Sequence, residues 1–260
     1  MLLGIDVGNT QTLIGVFERE DIQQHWRLAT AADRTADEWA LMFHGLLGQV
    51  GLSFDRNVTG VIISSVVPRV TQNLREMTER YFHYPPVVVE PGVRTGMPIK
   101  IDNPKEVGAD RIVNSIAAFE RYGGPCIVVD FGTSTNFDCV TDKGEYVGGA
   151  IAPGVEISTN ALVSRGAQLR RIEFTTPRSV IGKSTVEAIQ SGVLYGFAGQ
   201  VDAIVERMQK ELGGSAVTVA TGGLAPVIMP HTHTLEHHEP WLTLEGLLII
   251  YERNAQQDSS

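Results

Sequence analysis

The chain carries one short turn twice. Asp6-Val7-Gly8-Asn9-Thr10 and Asp130-Phe131-Gly132-Thr133-Ser134 both read Asp-x-Gly-x-Thr/Ser, and nearly half of the 260 residues separates them. Each copy ends an apolar, strand-like run, Leu2–Asp6 in one case and Cys126–Asp130 in the other. Each also opens a second run, Thr12–Glu18 or Asn136–Thr141, rich in strand-forming residues. Later, each half has a further strand-like run ending in small residues: Ser64-Ser65-Val66 in the first, Thr221-Gly222-Gly223 in the second. One Gly turn recurs easily by chance. Two copies in the same strand–turn–strand context point to two domains of related topology, and at about 150 residues per domain the length accommodates two small ones.

The remaining pattern alternates helices with strands, which is α/β. Thr35–Gln49 places Trp39, Met42, Phe43, Leu46 and Leu47 at helical spacing, and Pro68 opens a helix to about Tyr81. Val107–Tyr122 puts Ile112, Ile116 and Phe119 on one face. Further helices are expected from Pro153 to about Leu169, from Ser184 to Leu212, and over Leu242–Tyr251. Gly192, Gly196 and Gly199 argue against one straight helix in the second of these. Gly123-Gly124-Pro125 stops a helix and sets the expected domain border, 1–122 and 123–260, with the last helix packing back on the first domain.

The bulk properties exclude several function classes. A formal net charge of −9 lacks the basic footprint of a general nucleic-acid binder. Two cysteines do not make a disulfide scaffold and suit a reducing compartment. No apolar run approaches the roughly 20 residues of a membrane helix, and the N-terminus lacks the basic-then-apolar pattern of a leader. The expected setting is the cytoplasm, with no membrane partner.

A turn of Gly and hydroxyl residues presents backbone N–H groups and side-chain hydroxyls to phosphate oxygens. A carboxylate beside phosphate is repulsive, so the leading Asp must act through a cation or an ordered water. On that reading Asp6 and Asp130 are cation-side carboxylates, and Gly8, Asn9, Thr10, Gly132 and Thr133 are phosphate-side groups. Gly222 and Gly223 leave room for a base or ribose. Two such turns, one per domain, would hold a nucleotide in a cleft between the domains.

Three other features need weighing. Gly182-Lys183-Ser184-Thr185 imitates the end of a P-loop, but the required earlier Gly is Pro177. Ser184 with Glu187 reads better as a helix cap. Asp130-Phe131-Gly132 imitates a protein-kinase motif whose companion catalytic loop is absent. His231, His233, His237 and His238 contain enough nitrogens for a transition metal, yet a polar loop between Pro230 and Pro240 is the better reading. Outside the turns, Gly108-Ala109-Asp110-Arg111 opens a helix. Asp110 is there either a surface acid favoured by the helix dipole or a base that orients and deprotonates a hydroxyl, with Arg111 holding a polar or anionic substrate.

Taken together, these motifs resemble those of the type III pantothenate kinases. The resemblance covers essentially the whole chain and includes Gly148-Gly149-Ala150-Ile151-Ala152-Pro153-Gly154. It implies two ribonuclease-H-like domains of the actin-like ATPase fold, shared with acetate and sugar kinases, with the ligand cleft between them. It implies ATP-dependent phosphorylation of pantothenate, the first step toward coenzyme A. Also implied are a divalent cation such as Mg2+, a monovalent K+ or NH4+, and a homodimer with a shared substrate pocket.

Carried over by position, Asp110 matches the general base, and Gly108, Ala109, Asp110 and Arg111 the pantothenate site. Asp6, Val7, Gly8, Asn9, Thr10, Gln11, Thr12 and Leu13 match the first phosphate loop. Asp130 matches the monovalent-cation ligand, Thr133 a nucleotide contact and Thr185 a substrate contact across the dimer interface. Asp6 is left as the divalent-cation carboxylate, directly or through water. Many members carry Tyr just before Asp102-Asn103-Pro104, where this chain has Ile101; the wall stays apolar but loses a hydrogen bond. Two other functions fit the turns: a nucleotide or polyphosphate phosphatase on the same fold, and a non-catalytic ATP-binding regulator.

Overall fold

Short, near-continuous apolar runs, buried on both faces, build the central strands of two five-stranded sheets. The computed structural model describes residues 1–165 and 173–255. The first half contains β1 (Leu2–Val7), β2 (Gln11–Glu18), β3 (Asp21–Ala29), α1 (Ala36–Gln49), α2 (Phe54–Asn57), β4 (Gly60–Ser65), α3 (Pro68–Tyr81) and β5 (Val87–Val88). There follow α4 (Ala109–Tyr122), β6 (Cys126–Phe131), β7 (Ser134–Val140), β8 (Tyr146–Pro153) and α5 (Val155–Arg165). The chain closes with α6 (Thr185–Glu211), β9 (Val217–Thr221), α7 (Ala225–Ile228), β10 (His237–His238) and α8 (Leu242–Ala255). The part of the expected third helix beyond Arg165, to about Leu169, lies outside the described residues.

One sheet has the order β3-β2-β1-β4-β5 and the other β10-β9-β6-β7-β8. In each, three strands form an antiparallel meander and two more run parallel to its first strand. Counted within its own sheet, each reads 3-2-1-4-5, the ribonuclease-H-like order of the actin-like ATPase fold. The repeated turn is therefore the visible trace of a repeated topology.

The two compact units are Met1–Gly96 with Asn103–Ala117 and Thr243–Ser260, and Met97–Asp102 with Ala118–Leu242. This division differs from a border after 122. The reason lies at the sheet margins. Pro98–Lys100 adds to the edge of β8: Ile99 bridges Tyr146, Lys100 N–H donates to Tyr146 O (2.7 Å), and Tyr146 N–H donates to Pro98 O (2.9 Å). In the first unit, α8 lies on a flat seat of small residues. A Cβ on Gly15 would come within 2.8 Å of Leu244, and one on Gly60 would overlap Tyr251.

Each unit has its own core. Trp39, Phe43 and Leu47 of α1 pack with Leu3, Ile5, Val7, Ile14 and Val16. Leu194, Ala198, Val201 and Val205 of α6 pack with Ile127, Val129 and Phe137. Each large apolar side chain so buried contributes about 1.5–3 kcal/mol. That stripe also explains why α6 is continuous through Gly192, Gly196 and Gly199. Those glycines face open space, and the packed positions between them hold the helix. Among the described residues, no helix is long and apolar enough to cross a membrane.

Candidate functional site

The first turn closes at the end of β1, where Gly8 N–H donates to Gln11 O (3.0 Å). Asn9 and Thr10 are exposed at its apex, whereas Val7, Thr12 and Leu13 are buried beneath it. The turn is tied down from β3. Thr30 donates from Oγ1 to Gly8 O (2.8 Å), Thr30 N–H donates to Thr10 O (2.9 Å), and Thr12 Oγ1 sits 2.9 Å from Thr30 Oγ1. Thr30 carries no sequence signal; only the returning strand reveals its use.

The second turn closes with Gly132 N–H on Ser134 O (3.0 Å), leaving Thr133 exposed. Ser134 Oγ donates to Asn136 Oδ1 (2.8 Å). Two glycines from elsewhere press on this turn. A Cβ on Gly154 would meet Thr133 O at 2.2 Å. Gly222 has φ +91°, and a Cβ there would fall 2.6 Å from Asp130 Oδ1 and 2.6 Å from Phe131 O. Thr221 is the register partner of Asp130 on the neighbouring parallel strand. The fold thus brings Asp130, Gly132, Thr133 and Gly222 together, while Gly223 stays open, with nothing within 4 Å of an added Cβ.

Asp110 belongs to the first unit. Its carboxylate folds back at the start of α4, where Arg111 N–H donates to Oδ1 (2.8 Å). Burial pushes its pKa above the usual carboxylate value, against the lowering pull of that N–H and of the Arg111 charge. The carboxylate occupies space that a side chain at 108 would need: a Cβ on Gly108 would lie 2.5 Å from Asp110 Oδ1 and 3.6 Å from Val66 Cγ1. Val66 N–H in turn donates to Val7 O (3.0 Å). Asp110 and the first turn therefore lie at the same end of the sheet, beyond the carboxyl ends of the parallel strands β1 and β4, where ligands of open α/β sheets bind.

Gly108→Ala tests this packing. The neighbouring atom is the end of a short side chain, so the fold should survive and Asp110 should be displaced. The expected loss is about 10²-fold in turnover, typical of a misplacement near 1 Å, with Tm almost unchanged. Full activity would show that the position of Asp110 is immaterial.

The other expected site residues are more scattered. Ile101 sits on the ribbon beside β8, with its Cγ2 3.5 Å from a Cβ placed on Gly148. Thr185 is exposed at the first turn of α6. Ser184 caps that helix through Glu187 N–H (3.2 Å), while Glu187 reaches back to Lys183 N–H (3.0 Å) and to Arg178. The histidines are spent separately. His231 meets the edge of Tyr195 (5.5 Å), and His237 stacks on Tyr122 (4.3 Å). His233 is held between Asp202 (2.8 Å) and Glu206 (2.9 Å), and the Glu206 hydrogen bond and the Asp202 charge raise its pKa. Among the described residues, no group of three or more His, Cys, Asp or Glu could hold a metal.

The profile of the type III pantothenate kinase family matches residues 2–207. The chain belongs to that family. A type III pantothenate kinase of Streptomyces griseus is 57% identical over 264 residues, covering 99% of this chain and all of the relative. A type III pantothenate kinase of Moorella thermoacetica is 53% identical over 255 residues, covering 98% of this chain and all of that one. Among solved structures, a conserved Baf-family protein of Campylobacter jejuni superposes with a TM-score of 0.62 at 15% identity, over 98% of this chain and 99% of the other. The (R)-2-hydroxyglutaryl-CoA dehydratase component A of Acidaminococcus fermentans gives 0.56 at 13% identity, over 98% of each chain. At such identities these structures speak for the fold alone. The type III pantothenate kinase assignment rests on the profile and the near full-length relatives.

Proposed function

We infer that this chain transfers the γ-phosphoryl group of ATP to the primary hydroxyl of pantothenate, the first step toward coenzyme A. The observation that carries the chemistry is the withdrawn, basic carboxylate of Asp110 at the phosphate-binding end of its sheet. A raised pKa makes Asp110 a better proton acceptor. It orients the hydroxyl and takes its proton, late in a loose transition state.

The donors suit the proposed ligands. Gly8 and Gly132 let the backbone approach phosphate, and the exposed Asn9, Thr10 and Thr133 offer further donors. Asp6 and Asp130 present oxygen, which suits hard cations. A divalent cation bound there with ATP would neutralise charge on the transferring phosphoryl group. Asp130 is the ligand we assign to K+ or NH4+. Arg111 suits the anionic end of pantothenate through its planar fork, and Ile101 gives that pocket an apolar wall. We assign Thr185 to the pocket of a second copy in a homodimer. Val180 (63% exposed), Ile181 (80%) and Val186 (48%) flank it, and an apolar patch of that kind supports a covered surface. The buried, reduced thiols of Cys126 and Cys139 fit a cytoplasmic setting.

An assay coupled to ADP production tests the assignment. ADP is expected only when pantothenate is present, and faster in K+ or NH4+ than in Na+ at matched ionic strength, since a site shaped for one size discriminates between equal charges. ADP released without pantothenate would favour the phosphatase. Nucleotide binding with no ADP at all would favour the regulator.

A further inference from the structure

Three buried hydroxyls, those of Ser64, Ser115 and Thr135, make no hydrogen bond among the described residues, and one of them pairs in register with a proposed site residue. Ser64, at the end of β4, is fully buried, and its Oγ makes no hydrogen bond among the described residues. A buried hydroxyl left without a partner is a net cost to stability, so packing alone gives no reason for it. Its neighbour supplies one. Ser64 is the register partner of Asp6 on the adjacent parallel strand. Ile5 and Val7 of β1 and Val61 and Ile63 of β4 all face one core, so alternation turns Asp6 and Ser64 to the same opposite face. Adjacent strands lie about 4.8 Å apart, within reach of a serine hydroxyl and a carboxylate, directly or through one water. The second unit repeats the arrangement, with the buried hydroxyl residue Thr221 opposite Asp130. A hydroxyl residue beside the turn carboxylate is thus common to both halves.

We propose that Ser64 is a positioning residue for Asp6. When nucleotide and divalent cation bind, its hydroxyl donates to the Asp6 carboxylate and fixes which oxygen that carboxylate presents to the cation. Such hydrogen bonds often tighten only in the ligand complex. The proposal rests on the assignment of Asp6 as the cation-side carboxylate and extends it to a residue outside the turn.

The test is binding of a non-hydrolysable ATP analogue, by calorimetry, across a Mg2+ titration, with Tm measured in the absence of ligand. Ser64→Ala is expected to raise the Mg2+ concentration for half-maximal analogue binding about tenfold, the scale of one hydrogen bond to a charged group. Its unliganded Tm should equal or exceed that of the parent, because a merely structural hydroxyl would lower it on removal. Ser64→Thr, copying the second unit, should restore the Mg2+ dependence. Asp6→Asn is the control. A Mg2+ shift in Asp6→Asn but none in Ser64→Ala overturns the role of Ser64 alone. A drop in unliganded Tm for Ser64→Ala with unchanged Mg2+ dependence overturns it too. No shift in Asp6→Asn overturns the assignment of Asp6, and the proposal with it.

Discussion

Asp110→Asn is expected to lose about 10²–10⁴-fold in turnover, the usual worth of a general base, while ATP binding stays nearly unchanged. The same substitution should make the protein more stable at neutral pH. The folded state holds the Asp110 pKa above its unfolded value because burial disfavours the carboxylate. Below the unfolded value, near 3.9, both states are protonated and burial costs nothing on this account. As pH rises through the raised folded value, the native state must keep a charge away from water, and stability falls. Asparagine never ionises, so its gain in Tm should appear at pH 7 and vanish toward pH 3. Activity should show the mirror image: the acid limb of kcat/KM lies above the range of an ordinary aspartate. Thermal melts at several pH values, run beside steady-state kinetics, check both halves. Normal turnover would return Asp110 to the role of a helix-start acid. A lower Tm at pH 7 would contradict the burial argument.

Gly222→Ala is expected to have a large effect on folding. Its φ of +91° is strained for any residue with a Cβ, and the new atom would fall 2.6 Å from Phe131 O and 2.7 Å from Phe131 C. Both are backbone atoms of β6, so relief means moving the strand that carries Asp130. Conformational strain and overpacking each cost about 1–3 kcal/mol. Their sum corresponds to a fall of roughly 5–20 °C in Tm for a chain of this size. Nucleotide affinity should fall as well, because the added methyl would also come within 2.6 Å of Asp130 Oδ1. Gly223→Ala is the matched control: nothing lies within 4 Å of its Cβ and its φ is not positive, so Tm should hold. Equal melting of both variants with the parent would show that β9 does not press on β6 as described.

The repeat was legible because the turn chemistry demands the same residue types in both halves. Its detail was not. Read as a string, Thr10 aligns with Ser134. In register, Val7 pairs with Thr12 and Phe131 with Thr135, so Thr12 and Thr135 occupy equivalent places and the second turn is one residue shorter. A one-residue gap leaves no mark on a short motif. The contacts around Asp110 were hidden differently. The spacing of Gly108 and Asp110 says nothing of a carboxylate folding back into the space where a side chain would stand. The unit division departs from a border after 122 for a third reason. Gly123 does end α4, but Pro98–Lys100 is recruited by a sheet edge formed far away in sequence. Local pattern carries no information about such a recruitment. Propensity misled over α6 as well, where a well-packed apolar stripe outweighs three glycines.

The way the chain is threaded bears on the order in which it can fold as it is made. The second unit ends at Leu242, the first residue of α8, so every residue it needs has been synthesised before the rest of that helix. The first unit starts at Met1 yet takes its closing helix from residues after the whole of the second unit. Its sheet is available early, but the face at Gly4, Gly15 and Gly60 receives Leu244, Leu247 and Tyr251 only after the second unit has been made. The half that begins first is therefore completed last. A chain cut short just after Leu242 has all the residues of its second unit, while its first unit still presents bare glycines where a helix belongs.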